Sequence, residues 1–214
     1  MRDKLAEVNA AARTFVHASR PDDQMFVVNF NEKAMLGLPD AIGSTNNSSD
    51  LERAIFKMPA QGMTALYDAV AMGQERLQAG ARDKKVLIVI SDGGDNASSK
   101  TLDGVLKISE RSNALVYTIG IFGPDDDDKN PDVLRRLARA TGGDAFFPDK
   151  LDDVVAICDR IARDIRRQYT LGYVSGNAAK PGVYRSIRVV ARAAGGGKLV
   201  VRTRSGYIAR RAEK

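Results

Sequence analysis

Two carboxylates separated by a pair of glycines, in Ser91-Asp92-Gly93-Gly94-Asp95-Asn96, are the residues best placed to do chemistry. They follow Lys85 to Ser91, whose core Val86-Leu87-Ile88-Val89-Ile90 is an unbroken run of large aliphatic residues. Such a run reads as a parallel strand covered on both faces. In open α/β sheets ligands bind outside the carboxyl ends of the strands, which puts Asp92 where a site is expected. Oxygen ligands without histidine or cysteine suit a hard cation such as Mg²⁺, and the glycines let a ligand approach the backbone. Asp-Gly and Asp-Asn pairs are equally ordinary turn formers, so the loop alone leaves a structural role open.

Other chemistry is scarce. The 214 residues contain one histidine, His17, and one cysteine, Cys158. That excludes multi-histidine metal sites, thiolate zinc sites and an internal disulfide. His17, between Arg13 and Arg20 on an expected helix, reads as a surface residue. No Gly-x-x-x-x-Gly-Lys loop, Gly-x-Gly-x-x-Gly fingerprint or Gly-x-Ser-x-Gly elbow is present, so the usual phosphate and acyl-transfer scaffolds lack support. A hydrophobic fraction of 43% and a charged fraction of 28% are those of a folded globular protein. No apolar run approaches the roughly 18–20 residues that cross a bilayer. The first residues lack the apolar stretch and cleavage site of a secretory signal.

The elements that must hold the Asp92 loop alternate in type. An amphipathic helix carries Leu5, Val8, Ala12, Phe15 and Val16, and Met25 to Phe30 reads as a strand with a return over Ala34 to Leu38. Asp50 is expected to cap a helix over Leu51 to Met58, which Pro59 breaks, and Thr64 to Gly80 bounds the next one. After the Lys85 to Ser91 strand come a helix from Thr101 to Arg111 and a strand from Ala114 to Gly120. Asn130-Pro131 then opens a helix that Gly142 closes, followed by a short strand at Ala145 to Phe147 and a long helix over Leu151 to Ile165. This alternation predicts an α/β fold, a doubly wound, mostly parallel, Rossmann-like sheet with helices on both faces. Past Gln168 the period becomes two, with Tyr169, Leu171 and Tyr173 on one side. Tyr184 to Arg192 and Lys198 to Arg204 read as antiparallel strands, with Pro181-Gly182 and Gly195 to Gly197 as turns. The expected division is an α/β domain over 1–168 and a basic β extension over 169–214.

Gly62-Met63-Thr64-Ala65-Leu66-Tyr67-Asp68-Ala69, Ser91-Asp92-Gly93 and Val116-Tyr117-Thr118-Ile119-Gly120 together resemble the von Willebrand factor type A family. Gln168-Tyr169-Thr170-Leu171-Gly172-Tyr173, Arg185 to Val189 and Arg202 to Tyr207 resemble the C-terminal extension of a bacterial subgroup first noted in acidobacteria. The resemblance implies a binding module without catalytic machinery. Its metal-ion-dependent adhesion site would hold Mg²⁺ or Mn²⁺ and meet an acidic side chain on a protein partner. Carried over, the Thr64 hydroxyl and the Asp92 carboxylate are the metal ligands, with Met63, Gly93 and Asp95 beside the ligand position; many relatives have glycine where Met63 stands.

The family's remaining ligands lie in an Asp-x-Ser-x-Ser motif that ends a first strand, immediately before a methionine. The chain begins at that methionine, so the expectation is an incomplete site with weak or absent metal binding. The resemblance makes that strand central, between Met25 to Phe30 and Val86 to Ser91. Its place is then filled by a C-terminal strand, by a strand from another molecule, or by an upstream segment, and open edges favour self-association. Relatives in the subgroup are commonly exported, which implies an exported or periplasmic location.

Two other readings compete. A Mg²⁺-dependent phosphate-ester hydrolase would use Asp92 as ligand or nucleophile. Charge supports the second: of the net +6, residues 160–214 carry 14 Lys and Arg against Asp164 and Glu213. Arg185, Arg188, Arg192, Arg202 and Arg204, with Tyr169, Tyr173, Tyr184 and Tyr207 to stack on bases, would then bind nucleic acid or an anionic surface. Nucleic acid is the weaker reading, because Arg202 and Arg204 can equally pair with the acidic body of residues 1–159. The run Asp125 to Asp128 reads as a solvated loop.

Overall fold

The computed structural model describes residues 5–57, 62–123, 127–176 and 182–209. Expectations that fall on Met1 to Lys4, Met58 and Pro59, Asp125 and Asp126, and Pro181 lie outside them. In chain order the elements are α1 (Leu5–Ala18), β1 (Val28–Phe30), β2 (Ala34–Leu36), α2 (Ser48–Ile55), α3 (Leu66–Ala79), β3 (Val86–Ser91), α4 (Leu102–Arg111), β4 (Leu115–Gly120), α5 (Pro131–Thr141), β5 (Ala145–Phe146), α6 (Leu151–Arg166), β6 (Tyr184–Ser186) and β7 (Gly206–Ile208). No described helix is long and apolar enough to cross a membrane.

Parallel pairing joins β3 to β4 from Val86↔Leu115 to Ser91↔Gly120, and β4 to β5 at Thr118↔Ala145 and Ile119↔Phe146. Successive side chains of a strand point to opposite faces. Tyr117 and Ile119 therefore pack with Ala11 of α1 and with Val154, Cys158 and Ile161 of α6. Val116 and Val89 pack on the other face with Leu66 and Val70 of α3, Val105 of α4 and Leu137 of α5. Side-chain bonds fasten α5 to β4: the Thr141 hydroxyl accepts the Val116 amide at 2.8 Å, and the Thr118 hydroxyl donates to the Leu134 carbonyl at 3.2 Å.

Local signals explain several helix ends. Asn130 accepts the Val133 amide at 3.2 Å ahead of Pro131, and Gly142 closes α5 at φ 88, in the left-handed region that suits glycine. Thr101 caps α4 through the Gly104 amide. One cap differs from expectation: Asn47, not Asp50, starts α2, because its side chain accepts the amides of both Ser49 and Asp50.

β1 and β2 form a separate antiparallel hairpin, and no described strand lies between β1 and β3. A cavity of about 1680 Å³ separates them, bordered by Val28 and Phe30 on one side and by Val86, Ile88 and Ile90 on the other. The apolar run of β3 is packed on both faces, Val86, Ile88 and Ile90 toward α1 and α6 and Leu87 and Val89 toward α3 and α4, but borders the cavity and is only partly buried.

The tail departs further from expectation. Residues 169–174 form no strand, since alternation favours an extended chain but a strand needs a partner edge. Of the two strands expected over 184–204, only Tyr184–Ser186 pairs, and its partner is Gly206–Ile208. A single bridge, Arg192↔Lys198, flanks the turn at Gly196. The backbone at Thr203 and Arg204 lies against Gly142, where an added Cβ would come within 2.5 Å of it.

Leu137→Ala, at a fully buried position of α5, is expected to cost about 2–5 kcal/mol in urea unfolding. Met35→Ala, on the exposed side of β2, should stay within about 0.5 kcal/mol. Burial, with help from the Asp159 charge, pushes the Cys158 thiol up to about 11. A thiol reagent at neutral pH should therefore label this residue only as the protein unfolds.

Candidate metal and partner-binding site

β3 delivers Asp92 directly from its last residue, and the turn that follows is fixed on all sides. The Asp92 carboxylate accepts the Gly94 amide at 3.0 Å and the Ser91 hydroxyl at 3.4 Å, while the Asp92 carbonyl accepts the Asn130 amide at 2.9 Å. Gly93 sits at φ +86 with the Asn130 carbonyl so close that an added Cβ would lie 2.2 Å from it. Glycine is required there twice over, by backbone conformation and by space. Asp92 itself is only 6% exposed.

Thr64 comes from a different loop, and backbone bonds bring it to the same place. Asn96 accepts the Thr64 amide through its side chain at 2.7 Å, and the Thr64 carbonyl accepts the amides of Asn96 and Ala97 at 3.0 and 3.1 Å. On its other side the Ala65 amide donates to the Asn31 carbonyl beyond β1. Thr64, Asp92, Met63, Gly94 and Asn96 all border the cavity between β1 and β3, at the end where β3 stops. Asp127 and Asp128, expected only as part of a solvated loop, border it too.

Asp95 has a different task. The first-turn amides of a helix have no partner within it. The residue before α3, Ala65, offers no side-chain cap. Asp95 accepts the Tyr67 amide at 3.0 Å and the Ser98 hydroxyl at 2.6 Å, and Ser98 in turn accepts the Asp68 amide at 3.0 Å. Asp68 returns the tie, accepting the amides of Ser99 and Lys100 at 2.8 and 3.0 Å and the Ser99 hydroxyl at 3.1 Å. Burial alone would raise the Asp68 carboxyl, but these hydrogen bonds together outweigh it and hold the group below its ordinary range. Sequence reading missed Asp68, whose partners lie some thirty residues away.

The donor set for a cation is short. Near-octahedral Mg²⁺ binding takes about six oxygens. Thr64 and Asp92 supply a hydroxyl and a carboxylate whose Oδ1 already accepts an amide. Among the described residues no three His, Cys, Asp or Glu side chains form a metal-holding group. Among the described residues, the donors carried over from the family resemblance are this one hydroxyl and this one carboxylate.

The five basic candidates differ in what they meet. Arg202 bridges Asp144 at 2.8 Å and Asp164 at 2.5 Å, and Asp144 also pairs with Arg160. Arg204 reaches the Asn113 side chain at 3.5 Å, Arg185 donates to the Tyr207 hydroxyl at 3.3 Å, and Arg188 and Arg192 are exposed.

A family model described as the von Willebrand factor type A domain matches residues 1–159. A curated relative, the uncharacterized protein sll0103 of Synechocystis sp. (strain ATCC 27184 / PCC 6803 / Kazusa), is 26% identical over 143 residues, 67% of this chain and 33% of its own. The chain thus spans about a third of that relative's length. Among solved structures, von Willebrand factor type A from Catenulispora acidiphila aligns with a TM-score of 0.66 at 18% identity, over 77% of this chain and 38% of that one. Proximal thread matrix protein 1 of the mussel byssus, with a zinc-occupied MIDAS motif, aligns at 0.58 and 16%, over 78% and 43%. At these identities the likeness is one of fold.

Asp68→Ala is expected to destabilise the chain by about 1 kcal/mol at neutral pH through lost hydrogen bonds. Because the folded carboxyl titrates below its unfolded value of about 3.9, its contribution is complete above that pH and fades as pH falls through the lowered folded value. Urea unfolding of both proteins as a function of pH should show the two converging in strong acid.

Proposed function

The chain belongs to the von Willebrand factor type A family, and from that premise we propose that it is a protein-binding module working at the C-terminal end of its parallel sheet. Domains of this family are generally interaction or adhesion modules rather than enzymes. The observation that carries the proposal is that Thr64 and Asp92, from two loops tied together by the hydrogen bonds between Thr64 and Asn96, border one cavity where β3 ends. Both loops are held by backbone hydrogen bonds, so the rim is preorganised for a partner.

The adhesion site in this reading is incomplete. The zinc-occupied motif belongs to the mussel protein, whereas the donors named here are one hydroxyl and one carboxylate. Metal binding by the chain is accordingly weak or absent. The pairing of Arg202 with Asp144 and Asp164 supports a tail that neutralises the acidic body over a nucleic-acid surface. The division at residue 168, with the tail packed on or completing the α/β domain, belongs to the same proposal, as does an exported location, which rests on the family resemblance.

Calorimetric titration of Mg²⁺ and of Mn²⁺ into the full chain, with Thr64→Val and Asp92→Ala as controls, tests it. The expected dissociation constant is no tighter than about 1 mM. Micromolar binding abolished in both variants would mean that the ligand set is complete and the incomplete-site reading wrong.

A further inference from the structure

Between Asp164 and Glu213 the chain has no acidic residue, and the middle of that stretch folds back on itself beyond β6. The Ala193 amide donates to the Gly197 carbonyl at 2.8 Å and the Leu199 amide to the Ala191 carbonyl at 3.1 Å, around a turn with Gly196 at φ 86. Arg192 is thereby set directly opposite Lys198. Successive residues of an extended strand point to opposite faces. One face of this 188–200 hairpin therefore carries Arg188, Val190, Arg192, Lys198 and Val200, all exposed, while Ile187, Val189 and Ala191 on the other are half-buried.

The exposed face combines two kinds of group that the chain itself does not satisfy. Among the described residues no carboxylate pairs with Arg188, Arg192 or Lys198, whereas Arg202 bridges Asp144 and Asp164. Beside these cations Val190 is 58% and Val200 95% exposed. Cations and uncovered aliphatic groups on one face are complementary to anionic groups lying over hydrocarbon, the arrangement at the surface of an anionic bilayer. A nucleic-acid backbone would meet the cations but offers nothing to the two valines, and no aromatic ring stands between them to stack on a base.

The hairpin is anchored at the other end of the sheet from Asp92. Arg202 holds Asp144 just before β5, Arg204 reaches Asn113 just before β4, and the backbone at Thr203 lies against Gly142. These are the N-terminal ends of strands that run in the same direction as β3, whose C-terminal end delivers Asp92.

We propose that the 188–200 hairpin docks the chain on an anionic lipid surface, with Arg188, Arg192 and Lys198 on the headgroups and Val190 and Val200 in the interface beneath them. The chain is then held by one end of the sheet, and the Thr64 and Asp92 rim is left to a partner at the other. Neither Thr64 nor Asp92 takes part in docking, so it and the binding-module reading fail separately.

Cosedimentation of the full chain with phosphatidylcholine vesicles containing roughly one-third phosphatidylglycerol is expected to show binding that pure phosphatidylcholine vesicles lack and that salt weakens. Replacing Arg188, Arg192 and Lys198 together by Gln should weaken it about 100-fold, with the circular dichroism unchanged because all three are exposed. Val190→Ser with Val200→Ser should weaken it about 10-fold while leaving the salt dependence as it was, which a purely electrostatic attachment would not show. Equal binding to both vesicle types, or binding indifferent to either set of substitutions, overturns the proposal. So does a chain that ignores the vesicles but retains a DNA duplex through the same three cations, which would make the hairpin a nucleic-acid surface.

Discussion

Six consecutive pairs hold β3 against β4, and the side of β3 left over by that ladder decides what the rest of the molecule can be. The ladder ends at Ser91↔Gly120, and Asp92 emerges at the point where the sheet stops and backbone groups need new partners. Asn130, at the start of α5, supplies one through its amide, and Gly93 and Gly94 allow the approach. The opposite edge of β3 has no strand beside it among the described residues, and so borders the cavity that Thr64 and Asp92 close at one end.

The loops at that end are stiffened by carboxylates that serve backbone. Asp95 and Asp68 bind reciprocally across the first turn of α3 and the loop after β3, each accepting amides from the other's segment. The negative charges also lie at the positive end of the α3 dipole, where they are favourable. This is why an acidic loop at a strand end is a poor guide to metal binding taken alone: here one of the two carboxylates flanking the glycines is a helix cap. In the tail, Arg202 likewise ties segments together, pairing with Asp144 and Asp164.

The alternation of strands and helices was legible from periodicity because each element answers to neighbours three, four or two residues away. So were the ends of α5, since Asn130, Pro131 and Gly142 act within a single turn of chain. Asp92 and Thr64 were legible as neighbours through the family resemblance, and the structure brings both to one rim. Asp68, the helix-capping role of Asp95 and the placement of Asp127 and Asp128 were not, because their partners come from segments distant in sequence.

The strand-like pattern of Tyr169 to Val174 marks the limit most clearly. Alternation determines that these residues favour an extended chain with one apolar side. Whether they become a strand depends on an edge with free amides and carbonyls, and among the described residues no strand pairs with them. The sequence by itself therefore determined the α/β alternation, the local caps and the strand end where a site belongs, all set by hydrogen bonds and side-chain spacing over a few residues. Only the tertiary structure decided which carboxylates were consumed as caps, which arginines were paired and which strand edges stayed open, because each of those outcomes is a contact between groups that the chain keeps far apart until it folds.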